Sequence, residues 1–254
     1  EQQINVYSML SKKMERRTVF IRAFDLEISQ LEKFSAQEFH PMCCRAIRAL
    51  LINQKVFLIQ VRALLRSIVR ENIHVLLPLV VDVSEIIEAK KIIKEDQLKL
   101  YSENIHYAPL QLGAMLEVPA SIIMCETLAQ EADFFSIGSN DLMQYTLAAD
   151  RNASNLSDFY STIHPSVLRL LRFIISSANR YQKKVFLCGE LASDTRLISL
   201  FLGLGIQYFT VSTRRIPFVI QAIRSLSIVK AYEKTEKALE FLNADDLVHF
   251  LEED

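Results

Sequence analysis

Apolar residues along this chain of 254 residues follow two rhythms. Short runs, many of them β-branched, recur at 18–21, 73–79, 110–116, 134–137, 185–187 and 208–211, and predict six strands. Between them, apolar residues at steps of three and four over 46–70, 84–104, 119–131, 164–181, 191–203 and 215–225 predict helices. Local signals agree with this division. Pro119, Pro165 and Pro217 sit near first helical turns, Asp82 and Ser84 are N-cap candidates, and Gly113, Gly138 and Gly189 lie in or just after strands. The last stretch, 229–254, holds two further helical patterns with an acidic tip and reads as a solvated end of the molecule.

Strands that alternate with helices and are apolar on both faces predict a parallel sheet covered by helices. A (β/α)8 barrel and an open doubly wound sheet both satisfy the pattern. Polar residues cluster just after strands: Arg22 and Asp25, Glu117, Asn140 and Asp141, Cys188 and Glu190. Strand C-terminal ends are where both folds keep their chemistry. Neither a repeat nor a Ser/Gly-rich linker divides the chain, so one continuous domain is expected.

Composition narrows the function classes. With 50% hydrophobic and 23% charged residues, the chain has material for one large core. Lys+Arg 29 against Asp+Glu 30 leaves a net charge of −1 and no sustained basic cluster, which argues against nucleic acid as a partner. The apolar runs are far shorter than the roughly 18 to 20 residues of a membrane-spanning helix, and Glu1-Gln2-Gln3-Ile4 has no signal-peptide character. Cys43, Cys44, Cys125 and Cys188 show neither a CxxC pair nor zinc-finger spacing, and read as reduced thiols of a cytoplasmic protein.

Glu117 and Asp141 end successive strands, so both carboxylates can face one rim, where Mg²⁺ accepts two carboxylates, waters and substrate oxygens. The same two residues could instead serve the helix start at Pro119 and a cap. Arg22, Arg45, Arg48 and Arg151 are candidate anion clamps, because a guanidinium presents a fixed fork of donors; Arg48 fits a helix surface equally well. Cys188 is either a small core residue or a thiol able to donate a proton.

The strings themselves add more. Met115-Leu116-Glu117-Val118-Pro119-Ala120, the run from Asp133 through Asn152, and Cys188-Gly189-Glu190-Leu191-Ala192 resemble the motifs of phosphoenolpyruvate-utilising enzymes. Gln144-Tyr145-Thr146-Leu147-Ala148 followed by Asp150-Arg151-Asn152 is more similar to enzyme I of the bacterial sugar phosphotransferase system than to the dikinases or synthases. Val19 to Asp25, Arg45-Ala46-Ile47-Arg48 and 60–67 extend the likeness along nearly the whole chain.

This resemblance implies a (β/α)8 barrel of TIM type over 1–228, with six of its eight strands in this chain and the helices of 229–254 packed on the same domain. It implies that Glu117 and Asp141 bind Mg²⁺ and that Arg22, Arg45 and Arg151, with Asn140, hold phosphoenolpyruvate. Cys188 would protonate the enolate to give pyruvate. The phosphoryl group would pass to a histidine on an N-terminal domain, and from there to a phosphocarrier protein; a homodimer is expected. None of His40, His74, His106, His164 and His249 lies in the acceptor motif, and the family's first two barrel strands and its phosphohistidine domain are not recognisable here, so either this is a piece of a longer chain or another copy or the terminal helices close the sheet edges.

Departures from the family pattern keep two alternatives open: a binding module without turnover, and a dikinase-type enzyme. Asp25 is followed by Leu26-Glu27-Ile28-Ser29-Gln30 instead of a glycine-rich segment ending in Asp-Lys. The loop His40-Pro41-Met42-Cys43-Cys44 before Arg45 is one residue short and lacks its glycine, and Thr210-Val211-Ser212 stands where the family has Ser-Met-Ser.

Overall fold

Six strands form where the apolar runs predict them: β1 (Val19–Arg22), β2 (Ile73–Leu77), β3 (Gln111–Leu116), β4 (Phe135–Gly138), β5 (Val185–Cys188) and β6 (Tyr208–Thr210). The computed structural model describes residues 1–27, 44–67, 72–149 and 163–253. Packing divides the chain into two units, Glu1–Met115 with Gln130–Phe134, and Leu116–Ala129 with Phe135–Asp254.

In the first unit β1, β2 and β3 lie side by side and parallel, with Val19 opposite Ile73 and His74 opposite Gln111. β2 stops at Leu77 because Pro78 follows, and proline has no N–H for a ladder. The helices are α1 (Gln2–Met14), α2 (Ala46–Ile52), α3 (Gln54–Ser67) and α4 (Val83–Ser102). One predicted helix over 46–70 is thus two, broken at Asn53 (φ −105°, ψ 72°). Leu50, Phe57, Val61 and Leu65 from α2 and α3 are buried, as are Val75 and Leu77 of β2 and Ile86 and Leu100 of α4. Asp82 is the N-cap of α4: its carboxylate accepts from the Ser84 N–H at 2.8 Å, and Glu85 reaches back to the Asp82 N–H at 3.1 Å, completing a capping box. Ser84 supplies the donor and is not itself the cap.

In the second unit β4, β5 and β6 are again parallel neighbours, with Gly138 opposite Cys188 and Cys188 opposite Thr210. Its helices are α5 (Pro119–Ile123), α6 (Cys125–Glu131, whose last two residues pack with the first unit), α7 (Ser139–Leu147), α8 (Pro165–Arg180), α9 (Ile198–Gly203), α10 (Ile216–Ser225), α11 (Ile228–Glu240) and α12 (Ala244–Glu252). A single 3-10 turn, Leu191–Ser193, follows β5. The patterns over 119–131 and 191–203 therefore each break in two. α8 starts at Pro165 behind His164, whose Nδ1 accepts from the Ser166 N–H at 3.1 Å, and buries Val167, Leu168, Leu171, Ile174 and Ile175 along one stripe. α9 meets α11 closely. A Cβ on Gly203 would run into the Ala231 carbonyl and Thr235 Oγ1, and that hydroxyl donates to the Leu200 carbonyl at 3.1 Å.

The fold class is α/β of TIM-barrel type with six of the eight strands in this chain. No helix among the described residues is long and apolar enough to cross a membrane.

Candidate functional site

Two glycines bring chemistry-bearing turns together at the C-terminal ends of β4 and β5. Glu117, between β3 and α5, is only 2% exposed, and a Cβ on Gly138 would run into its Oε2. A side chain at 138 and the buried carboxylate are therefore mutually exclusive. Gly189 has φ 95°, a region that favours glycine, and a Cβ there would strike Ser139 Oγ and Asn140 Oδ1. That close approach lets Asn140 Oδ1 accept a hydrogen bond from the Glu190 N–H at 2.9 Å, tying the two turns to each other.

Asp141 sits in the first turn of α7, where the helix dipole favours a negative charge. It is not the cap, because Gly138 occupies that position. Cys188 ends β5 half-buried. Its thiol donates to the Ile137 carbonyl at 3.1 Å and receives the Ser136 hydroxyl at 3.5 Å. The contact with a carbonyl uses the S–H proton, and the Ser136 hydroxyl stands as a second donor beside the sulfur. Cys125 differs. Burial, followed by the charge of Glu126, pushes its thiol up to about 12, which makes it a core residue without acid–base use near neutrality.

Beside Cys188 opens a cleft of about 930 Å³ that Asn140, Glu190, Asp194, Arg196, Thr210 and Arg215 help to line. Arg196 donates to Asp194 through Nε (3.0 Å) and Nη2 (2.7 Å). Burial opposes ionisation of Asp194, but the hydrogen bonds and charge of Arg196 outweigh it. Together with the charge of Arg215, they hold this carboxyl below its ordinary value.

In the first unit the predicted clamps are already engaged. Arg45 donates to Asp25 through Nε (3.1 Å) and Nη2 (2.7 Å), and Arg22 Nη1 stands 3.7 Å from the same carboxylate. The segment that departs from the family pattern supports this arrangement. Glu27 forms an antiparallel bridge with Arg45, and the Ala46 N–H bonds to the Leu26 carbonyl at 3.0 Å. Arg48 donates to Glu85 at 3.0 Å, the residue that closes the capping box, so its place is structural. Arg151, residues 28–30 and the loop 40–43 lie outside the described residues.

Glu117, Asn140, Asp141 and Cys188 are thus gathered in one unit, and Arg22, Asp25 and Arg45 in the other. Among the described residues no three His, Cys, Asp or Glu side chains form a metal cluster. The hard oxygen donors Glu117 and Asp141 still suit Mg²⁺, which keeps waters and takes substrate oxygens in place of a full protein cage. Sequence reading missed Ser136, the Asp194–Arg196 pair and Arg215. An Asp-x-Arg spacing shortly after a motif-bearing strand could have drawn attention to the pair; nothing local marks Ser136.

Comparison with known proteins adds the family. A phosphoenolpyruvate-protein phosphotransferase of Priestia megaterium is 35% identical over 257 residues, covering 99% of this chain and 44% of its own. One of Bacillus subtilis strain 168 is 35% identical over 259 residues, covering 100% of this chain and 45% of its own. The chain therefore spans under half the length of these relatives. In fold it is similar to a citrate lyase of Burkholderia xenovorans LB400, at a TM-score of 0.53 and 15% identity, over 98% of this chain and 69% of that one. The family model described as "PEP-utilising enzyme, PEP-binding domain" matches residues 1–228, and the chain belongs to that family.

Proposed function

We propose that this chain binds phosphoenolpyruvate with Mg²⁺ and supports transfer of its phosphoryl group to a histidine on an N-terminal domain. That would be the first step of a sugar phosphotransferase system in the cytoplasm. The observation that carries this reading is the convergence of Glu117, the Asn140–Asp141 turn and Cys188 through Gly138 and Gly189.

Glu117 and Asp141 would hold Mg²⁺, which supplies charge neutralisation at the phosphoryl oxygens. Arg22, Arg45 and Arg151, with Asn140, bind and orient the substrate's phosphate and carboxylate. The bond between phosphorus and the enol oxygen breaks, the phosphoryl group passes to an imidazole nitrogen, and an enolate remains. Its methylene carbon takes the proton from Cys188 Sγ, giving pyruvate. The Ser136 hydroxyl stands ready to donate to the thiolate until water returns the proton. The phosphocarrier protein as next acceptor and a homodimer of the full-length protein belong to the same proposal.

Calorimetric titration of the full-length protein with phosphoenolpyruvate and Mg²⁺ tests it. Binding is expected in the wild type, with at least a tenfold loss in Glu117→Ala and in Asp141→Ala; absence of binding by the wild type would sink the reading. One observation favours a second reading, a binding module without turnover: Asp25 already occupies Arg45 with two hydrogen bonds and stands near Arg22. Steady-state phosphoryl transfer to a carrier protein separates the two, because only the enzyme sustains it.

A further inference from the structure

One stretch of the family likeness, 60–67 in α3, has no part in the chemistry described so far. Its first residue, Gln60, is only 1% exposed, a place where a carboxamide is costly unless both of its ends are hydrogen-bonded. Both ends are bonded to the chain that leaves β1. Gln60 Oε1 accepts from the Phe24 N–H at 3.2 Å, while Nε2 donates to the Arg22 carbonyl at 3.2 Å and to the Tyr7 hydroxyl of α1 at 3.5 Å. A backbone N–H facing one end and a backbone carbonyl facing the other leave a single orientation for the amide. Between these two contacts Ala23 bonds its own N–H to the Leu76 carbonyl of β2 at 2.9 Å. The backbone is therefore held on both edges just where β1 ends, at Arg22.

We infer that Gln60 is a positioning residue for substrate binding: its carboxamide fixes the backbone that carries Arg22 and Asp25, and through them the place of the arginines that meet the anion. The inference rests on the function proposed above. Among the described residues the half-exposed guanidinium of Arg22 forms one ion pair, with Asp25 at 3.7 Å, beyond hydrogen-bond reach. Its aim is thus set by the backbone from which it extends, and Gln60 holds the carbonyl of that same residue. Asp25 lies one residue past Phe24, whose N–H Gln60 also holds, and it accepts both hydrogen bonds of Arg45. One buried amide therefore governs where two cations stand. Gln60 touches no substrate; it acts through other residues, and an error of about 1 Å in such a placement is enough to cost a large factor in function.

Titration of the full-length protein with phosphoenolpyruvate in the presence of Mg²⁺ tests this. Gln60→Met keeps the length and bulk of the side chain but removes both backbone contacts, and is expected to weaken binding about tenfold. Circular dichroism checks that the variant is folded, and Gln60→Leu, which removes the same contacts, takes its place if it is not. Asn72→Ala is the control for a merely structural role, because Asn72 also secures α1 but bonds to neither Arg22 nor Phe24; its affinity for phosphoenolpyruvate is expected to match the wild type. Arg22→Ala combined with Gln60→Met is expected to lose clearly less than the product of the two single losses, since Gln60 acts through a residue already removed. Unchanged affinity in Gln60→Met overturns the inference while the wild type still binds. An equal loss in Asn72→Ala, or fully multiplicative losses in the double variant, overturns it as well. If the wild type does not bind phosphoenolpyruvate, the proposed function falls and this inference with it.

Discussion

Asp194 shows how a single side chain joins stability to the site. Its carboxyl is held below the ordinary value despite burial, because Arg196 donates two hydrogen bonds to it and Arg215 adds charge. A carboxyl depressed in the folded state contributes stability that is fully present above its unfolded value, about 3.9, and is lost as pH falls through the folded one. Urea midpoints measured from neutrality down into that acid range should therefore decline less steeply in Asp194→Asn than in the wild type. Equal slopes would show that the ion pair carries no such linkage. Asp25 makes a parallel point: its charge sits between two arginines, so any anion that takes Arg45 must displace a carboxylate already bidentate to it.

At the scale of elements, α1 illustrates how a helix with a weak pattern is secured from a distance. Its buried residues are Tyr7 and Ser11, too few to mark an apolar stripe. What holds its C-terminal end is Asn72, just before β2. The Asn72 amide donates to the carbonyls of Ser11 (3.1 Å), Glu15 (3.0 Å) and Arg17 (3.1 Å), while its oxygen accepts from the Ser11 hydroxyl at 2.7 Å. Removing that amide leaves the buried Ser11 hydroxyl and carbonyl without their partner, each costing roughly 1 to 3 kcal/mol. Asn72→Ala is thus expected to destabilise the protein by about 3 kcal/mol in chemical denaturation. A change below about 1 kcal/mol would mean that water replaces the amide. The split helices follow a related logic. A one-residue break at Asn53 leaves the apolar face of α3 on the same core as that of α2, so a periodicity of three and four runs across the break unaltered.

For the whole molecule, a ligand that binds only the folded state stabilises it by RT ln(1 + [L]/Kd), or about 2.7 kcal/mol at one hundred times Kd. Phosphoenolpyruvate with Mg²⁺ should accordingly raise the melting temperature of the full-length protein by several degrees, and Glu117→Ala should abolish the rise. An equal rise in that variant would detach the ligand from the proposed centre.

The α/β class, the six strands and the family were all legible in the linear chain, because each is written in local patterns of residues. β2, β3 and β4 are buried on both faces and stand out as unbroken apolar runs, while β1, β5 and β6, which are partly exposed, are marked by β-branched and aromatic residues. Turns that bring a carboxylate, an amide and a thiol together demand particular residues at particular spacings, including Gly138 and Gly189. Tertiary structure alone decided the rest. The Asp25–Arg45 pair, the Ser136–Cys188 contact and the hold of Asn72 on α1 all join residues distant in sequence. Such pairings leave no periodic trace, because hydrogen bonds and ion pairs are specified by where the fold sets two side chains and not by their neighbours in the chain.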